Sequence, residues 1–291
     1  MPPWFIFTAL AVFCWGLWAV ISKLLGESIT AAQSQALSTL GLLPVMLALM
    51  RNPQRIPSGN RCRGRVISFV AGLLSALGNL AYYQALNSGG KAATVVSLTA
   101  MYPLVTIALA VGLLHERLNL IQRCGIVLSL VSIYFFNIPN VQSALNPFLI
   151  VAMIPILLWG VSAFLQKLST RDLSGEASAL WFLLAFLPVA GCLLWYQPLS
   201  ESISVRTWLL AIGLGLFFSL GNYAMLLAFA KNGKASIIVP LSGLYPIVSV
   251  PIAILFLGEK INSRETAGIV FALLSVAALS YEKPSIPTPA P

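Results

Sequence analysis

Aromatic and amide side chains recur in the middle of long apolar stretches of this chain. The set is Trp15, Trp18, Asn79, Tyr82, Tyr102, Trp159, Asn222 and Tyr245. Indole and phenol rings bind flat apolar or cationic solutes by stacking and cation–π contact, and an amide adds two donors and one acceptor. Polar groups at membrane depth are costly unless they are paired or face a cavity. The set therefore predicts a binding cavity, one that suits an amino acid with a large side chain.

Each of these groups also has a purely structural interpretation. Trp15 and Trp159 sit near the centres of their apolar stretches, where tryptophan can simply fill the core of a helix bundle. Asn79 and Asn222 can join neighbouring helices by hydrogen bonds, which contribute about 1 kcal/mol each in membranes. The sequence leaves both interpretations open.

Two Tyr-Pro pairs carry a second prediction. Pro103 follows Tyr102, and Pro246 follows Tyr245, each inside an apolar stretch. A proline there removes one backbone hydrogen bond and kinks the helix. The pairs predict hinges or broken helices at the binding site, with a kink that serves packing alone as the alternative.

Catalytic and metal-binding groups are scarce in the apolar stretches. The eight carboxylates all lie at or beyond the ends of these stretches, His115 is the single histidine, and four cysteines are scattered singly. Glu116 and Glu259 are expected to cap helix ends and to pair with Arg117 and Lys260. We therefore expect no enzyme activity, no metal and no cofactor. Proton relays usually use an acid or histidine within the membrane, so a passive mechanism is favoured over proton coupling.

The apolar stretches are long enough to cross a membrane. Residues are 58% hydrophobic and 9% charged, whereas about a quarter is charged in an ordinary soluble domain. Each span needs about 20 mostly apolar residues. The predicted spans 1 to 10 are 4–25, 31–50, 66–87, 92–114, 121–138, 148–168, 177–196, 208–229, 236–257 and 264–281.

The chain contains the same module twice. The stretch GNLAYYQALNSGGKAATVVSLTAMYPLV (78–105) reappears as GNYAMLLAFAKNGKASIIVPLSGLYPIV (221–248), and WGLWAVISK (15–23) matches WGVSAFLQK (159–167). Five spans is an odd number, so the second copy must enter the membrane from the opposite side. The sequence predicts an all-α membrane protein with ten transmembrane helices, arranged as two inverted five-helix repeats around a central cavity. The predicted repeats are residues 1–140 and 141–283, followed by a disordered proline-rich tail, 284–291.

The charged residues lie between the spans, and their distribution indicates how the chain is oriented in the membrane. Of the 17 Lys and Arg residues, 12 fall on the side of the N-terminus and five on the other. The positive-inside rule therefore predicts that both termini are cytoplasmic. The net charge of +9 does not indicate nucleic-acid binding. The expected partners are the lipid bilayer and a small-molecule substrate, and a monomer would suffice because the duplication supplies both orientations in one chain.

These features together resemble a known family. Ten spans, the duplicated halves, the WG of spans 1 and 6, the YP of spans 4 and 9 and the following HE or GE are similar to the drug/metabolite transporter superfamily, EamA type. Within it the sequence looks like YddG-type bacterial exporters of aromatic amino acids, which also handle methyl viologen. The resemblance implies an inner-membrane exporter that works by alternating access around a central cavity.

Several other functions stay open. One alternative is a broad-specificity exporter of drugs or organic cations, for which proton coupling stays open. An intramembrane enzyme would need a nucleophile, an acid/base pair or a metal at membrane depth, and the spans offer neutral hydroxyls, amides and lone cysteines. A structural or signalling subunit would gain nothing from a repeat with kinked helices, and its short loops leave little surface for partners.

Overall fold

The computed structural model describes residues 3–51, 59–89, 91–114, 118–137, 147–199, 202–231, 235–279 and 281. This part of the chain is helical and contains no strand, in agreement with the predicted all-α class. A 3₁₀ helix, Thr39–Leu42, joins α2 to α3. The α-helices are α1 (Pro3–Gly26), α2 (Ala31–Ser38), α3 (Leu43–Arg51), α4 (Arg61–Asn87), α5 (Ala92–Thr99), α6 (Pro103–Leu114), α7 (Leu120–Asn137), α8 (Pro147–Ser169), α9 (Gly175–Leu184), α10 (Phe186–Tyr196), α11 (Val205–Ala230), α12 (Ala235–Ser242), α13 (Pro246–Phe256) and α14 (Ser263–Leu279).

Four of the predicted spans are broken in two, and the breaks fall at matching places in the two halves. Span 4 breaks between α5 and α6, just before Pro103, and span 9 breaks between α12 and α13, just before Pro246. Proline lacks the N–H that would continue the helix, and it disfavours helical geometry in the preceding residue. Spans 2 and 7 break at the 3₁₀ helix and at Ala185. The expected interruption at both prolines is present, and their role as hinges stays a prediction.

Eight of the ten predicted spans are long and apolar enough to cross a membrane. The two remaining segments are α7 and α14, in which the described apolar stretches are shorter. These two helices pack against each other, and Ser132 Oγ donates to Gly268 O at 2.8 Å while Ser275 Oγ donates to Gly125 O at 2.8 Å. Eight spans are thus supported, and the count of ten remains a prediction.

Contacts between the connections define two ends of the molecule. At one end, which we name the arginine end for Arg61, Arg63 and Arg65, Asn60 N donates to Asp172 Oδ1 at 3.2 Å. At the other, the Glu265 end, Lys91 Nζ contacts the Glu265 carboxylate at 2.6 Å. The connections on either side of span 3 therefore lie at opposite ends, as a membrane-crossing helix requires.

Equivalent spans of the two halves run in opposite directions. The segment after α1 lies at the Glu265 end, because Asn87 Nδ2 donates to Ile29 O. The segment after α8, the counterpart of α1, lies at the arginine end with Asp172. Helices of one half also pack on helices of the other half: α1 packs on α11, and α4 packs on α8. This arrangement agrees with an inverted repeat.

Glycine permits the closest approaches between these helices. A Cβ atom added to Gly72 of α4 would collide with the carbonyl oxygen of Phe182, and one added to Gly215 of α11 would collide with that of Ser38. Gly72 and Gly215 occupy equivalent positions in the two halves. Each half therefore uses the same glycine to bring its third span against the second span of the other half.

The halves are also tied together at the Glu265 end. The Glu259 carboxylate accepts hydrogen bonds from Ala92 N at 2.6 Å and from Ala93 N at 2.9 Å, the first two amides of α5. A carboxylate at a helix N-terminus satisfies exposed amides and the positive end of the helix dipole. The sequence indicated capping by Glu259, and the capped helix belongs to the other half of the chain. Glu116, Arg117 and His115 lie outside the described residues.

Candidate functional site

A cavity lies between the two halves, near the middle of the spans. The space that it outlines is about 440 Å³, a volume that includes space open to the surroundings of the protein. Helices α1, α4, α8 and α11 and the breaks of spans 4 and 9 supply its walls. Its lining residues are Trp15, Trp18, Ser75, Tyr102, Trp159, Ser162, Ala163, Gln166, Phe218, Asn222, Met225 and Tyr245.

The structure places the predicted site residues in two layers. Six of them line the cavity, namely Trp15, Trp18, Tyr102, Trp159, Asn222 and Tyr245. Asn79 and Tyr82 lie behind the wall, where they are 1% and 0% exposed. Asn79 accepts a hydrogen bond from the Trp159 indole, and Tyr82 stacks on Trp18. These two side chains hold the lining residues in place.

Three aromatic residues close the cavity on the side of the Glu265 end. Trp18 and Tyr82 stack with ring centroids 4.8 Å apart and an interplanar angle of 23°. Trp18 Nε1 also donates to the Tyr83 hydroxyl at 3.1 Å. We name Trp18, Tyr82 and Tyr83 the aromatic plug. These stacked and hydrogen-bonded rings are at most 3% exposed, so they fill the space between the helices beside the cavity.

The equivalent positions in the second half carry smaller or more flexible side chains. Ser162 replaces Trp18, and Met225 replaces Tyr82, when the two copies are aligned. Both line the cavity, which extends from the middle of the spans toward the arginine end. The two halves thus share a backbone arrangement but differ in the bulk that they place on either side of the cavity.

The matched tryptophans differ in their hydrogen bonds. Trp159 Nε1 donates to Asn79 Oδ1 at 3.1 Å. In the other half, Asn222 Nδ2 donates to Phe218 O at 2.9 Å, and the buried Nε1 of Trp15 has no hydrogen-bond partner. The Trp15 N–H packs beside Gly221 of α11 and is a buried donor without a partner in a residue that lines the cavity.

The Tyr-Pro pairs connect the halves across the cavity. The Tyr102 hydroxyl lies 2.6 Å from Ser242 Oγ, and the Tyr245 hydroxyl lies 3.2 Å from Thr99 Oγ1. Each tyrosine therefore bonds to the broken span of the opposite half. Since both hydroxyls have protein partners, the tyrosines contribute mainly ring surface to the cavity.

The lining carries no formal charge. None of the lining side chains is an acid, a lysine or an arginine. Within the described residues, no group of three His, Cys, Asp or Glu side chains could hold a metal ion. Lys167, one residue beyond the cavity-lining Gln166, has its ammonium 5.6 Å from the centre of the Phe229 ring. The site can thus offer stacking, apolar contact and a small number of hydrogen bonds.

Six lining residues were absent from the predicted set: Ser75, Ser162, Ala163, Gln166, Phe218 and Met225. Helical spacing could have found most of them. Ser162 and Gln166 lie three and seven residues after Trp159. Phe218 lies four residues before Asn222, and Met225 lies three residues after it. Ala163 carries no such signal, because alanine is common on every face of a membrane helix.

Fold and site together define a helical membrane transporter built from two repeats. Residues 2–138 and 146–281 each match the EamA-like transporter family. The chain belongs to the EamA-like transporter family.

Two further comparisons show similarity in sequence and in fold. The uncharacterized protein MJ1333.1 of Methanocaldococcus jannaschii is 30% identical over 130 residues, which are 45% of this chain and 92% of that protein. The archaeal protein therefore matches a stretch about as long as one repeat. A solved structure titled "Crystal structure of protein" is similar with a TM-score of 0.67 and 16% identity over 94% of both chains. At that identity the likeness concerns the fold.

Proposed function

We propose that this transporter exports amino acids, with the aromatic ones phenylalanine, tyrosine and tryptophan preferred, together with related flat solutes such as methyl viologen. The observation that carries the proposal is the uncharged, aromatic lining of the central cavity. Rings of Trp15, Trp18 and Trp159 offer stacking surface, while the amide of Asn222 can hydrogen-bond a polar head group. Phosphorylated solutes would instead require Arg or Lys in the lining.

Alternating access follows from the arrangement of the halves. Two inverted halves can open the same cavity toward either end by related motions. In the described arrangement the aromatic plug closes the Glu265 end, where Glu259 also ties the halves together. We propose that solute enters the cavity from the arginine end. It leaves at the Glu265 end, after the aromatic plug has opened and the hydrogen bonds from α5 to Glu259 have broken.

We propose facilitative rather than proton-coupled transport, since no acid lines the cavity. By the positive-inside rule the arginine end faces the cytoplasm, in a bacterial inner membrane, with both termini on that side. All ten segments cross the bilayer in this proposal. α7 and α14 do so as a pair.

A broad-specificity exporter of organic cations is the second candidate. Aromatic rings without a neighbouring cation attract quaternary or planar cations by cation–π contact. The same lining residues therefore favour this candidate as well, and the distinction depends on whether the cavity requires an amino-acid head group.

A substrate panel in proteoliposomes tests the proposal. We expect uptake of labelled tryptophan and phenylalanine that saturates and is competed by the unlabelled compounds, and no uptake of glycine, which offers no ring to the cavity. Flux of methyl viologen without flux of either aromatic amino acid would move the assignment to a cation exporter. Protein-free liposomes and liposomes with the Trp159→Ala variant serve as controls.

A further inference from the structure

Gln166 is a cavity-lining residue that carries an unpaired hydrogen-bond acceptor. It lines the cavity and is only 4% exposed, yet its Oε1 atom has no hydrogen-bond partner. Its Nε2 atom is 3.4 Å from Ser162 Oγ, which fixes the side chain on the cavity side of α8. A buried amide oxygen without a partner is unfavourable, so a group that supplies an N–H gains by binding there.

The position of Gln166 suits one end of a solute whose ring lies among the tryptophans. Gln166 follows Trp159 by two helical turns, about 10 Å along the axis toward the arginine end. Its side chain leans back toward the start of α8, as the contact with Ser162 shows. The unpaired N–H of Trp15 lies in the same cavity. Two residues of the cavity lining thus carry one buried acceptor and one buried donor without partners.

Two comparisons within the protein separate this site from an incidental packing defect. Ser22, the counterpart of Gln166 in the first half, is satisfied by Ala19 O at 2.6 Å. Gln35 is equally buried, at 1% exposure, and both of its amide atoms lack partners, but it does not line the cavity. Gln166 is distinguished by combining an unpaired acceptor with a position in the cavity lining.

We propose that Gln166 Oε1 accepts a hydrogen bond from the amino group of the transported solute, and that Trp15 Nε1 donates to its carboxylate. This inference rests on the proposed function and makes it more specific: the two residues set the requirement for an amino-acid head group. An amide binds an ammonium group without holding it as tightly as a carboxylate would, which permits release at the other side.

The test uses three solutes that share one ring. Tryptophan has both head groups, tryptamine lacks the carboxylate, and indole-3-propionate lacks the amino group. In Gln166→Met, which keeps the length of the side chain and removes the acceptor, the KM for tryptophan and tryptamine should rise at least about tenfold, as expected for a lost hydrogen bond to a charged group. The KM for indole-3-propionate should stay unchanged. In Trp15→Phe, the KM for tryptophan and for indole-3-propionate should rise, because both carry the carboxylate. The KM for tryptamine should stay unchanged.

Gln35→Met is the matched control, because it removes an equally buried glutamine outside the cavity and should leave all three KM values unchanged. A second variant, Gln166→Glu, preserves the shape if the methionine variant does not fold, and should favour tryptamine over indole-3-propionate. If wild-type protein carries none of the three solutes, the proposed function fails. If it carries tryptophan and both Gln166 variants retain its selectivity, the inference about Gln166 is wrong and the proposed function stands.

Discussion

Gly215→Ala is expected to prevent the protein from folding stably. Its Cβ would meet the carbonyl oxygen of Ser38 and would lie 2.9 Å from the Cα atom of Gly41. Both partners are backbone atoms, so no change of rotamer can relieve the collision. Overpacking of this kind costs about 3 kcal/mol, and here it forces apart α11 and the 3₁₀ helix of span 2. We expect little monodisperse protein in size-exclusion chromatography in detergent and a large drop in melting temperature.

A glycine two residues earlier gives the matched control. The nearest atom to a Cβ added at Gly213 is Ile21 Cδ1 at 3.9 Å, an ordinary contact. Gly213→Ala should therefore fold normally, with a small gain in stability of up to about 1 kcal/mol from helix propensity. Gly72→Ala, at the equivalent position of the first half, should be as harmful as Gly215→Ala. A Gly215→Ala protein with the melting temperature of the wild type would contradict the described packing.

Removing Trp18 is expected to open the cavity toward the Glu265 end. Trp18 stacks on Tyr82, donates to the Tyr83 hydroxyl and lies against Trp159. Truncation of such a buried aromatic residue costs about 3–5 kcal/mol, and the loss falls on the arrangement in which the plug is closed. Since each 1.4 kcal/mol changes a population about tenfold, Trp18→Ala should raise access from that end at least about tenfold.

Thiol labelling measures this access. The four native cysteines are removed, and Ser75→Cys places a single thiol on the cavity lining. With an intact plug, a membrane-impermeant reagent should label it rapidly from the arginine end and slowly from the Glu265 end; in Trp18→Ala both rates should be high. Trp195→Ala, which removes a tryptophan that is 91% exposed, is the control and should leave the asymmetry intact. Equal labelling from both ends with the plug intact would show that the plug is no barrier.

The helix breaks show how much of the fold could be predicted from the sequence. The breaks of spans 4 and 9 fall directly before Pro103 and Pro246, as the sequence predicted, whereas Pro155, Pro240 and Pro251 lie inside continuous helices. The duplication likewise required opposite directions for the two halves, and α1 and α8 do run in opposite directions. The Tyr-Pro pairs and the odd number of predicted spans in each half therefore indicated two of the four breaks and the opposite directions of the halves, whereas the breaks of spans 2 and 7 were not predicted.

The partners across the halves could not be predicted in the same way. Glu259 caps α5 although the two are more than 160 residues apart, and sequence spacing carries no sign of such a contact. Asn79 and Asn222 are equivalent in the alignment but have different partners, Trp159 Nε1 and Phe218 O. The hydrogen bonds of the two copies therefore differ at a position where their sequences are the same, and an alignment of the copies does not reveal this.

Large side chains from neighbouring helices determine which residues of a helix face line the cavity. Asn79, Tyr82 and Ser75 share a face of α4, yet only Ser75 lines the cavity, because Trp159 and Trp18 cover the other two. Helical periodicity identifies a face, whereas the depth at which each side chain lies depends on the large rings supplied by other helices.

The most direct test of the proposed transport mechanism is the rate of tryptophan flux into and out of proteoliposomes, with and without an imposed pH gradient. An uncharged cavity between two inverted halves predicts flux in both directions at rates that the pH gradient does not change. Tryptophan flux that appears only with the gradient, or that reverses with it, would contradict facilitative transport and would require a coupling acid that the cavity lining lacks.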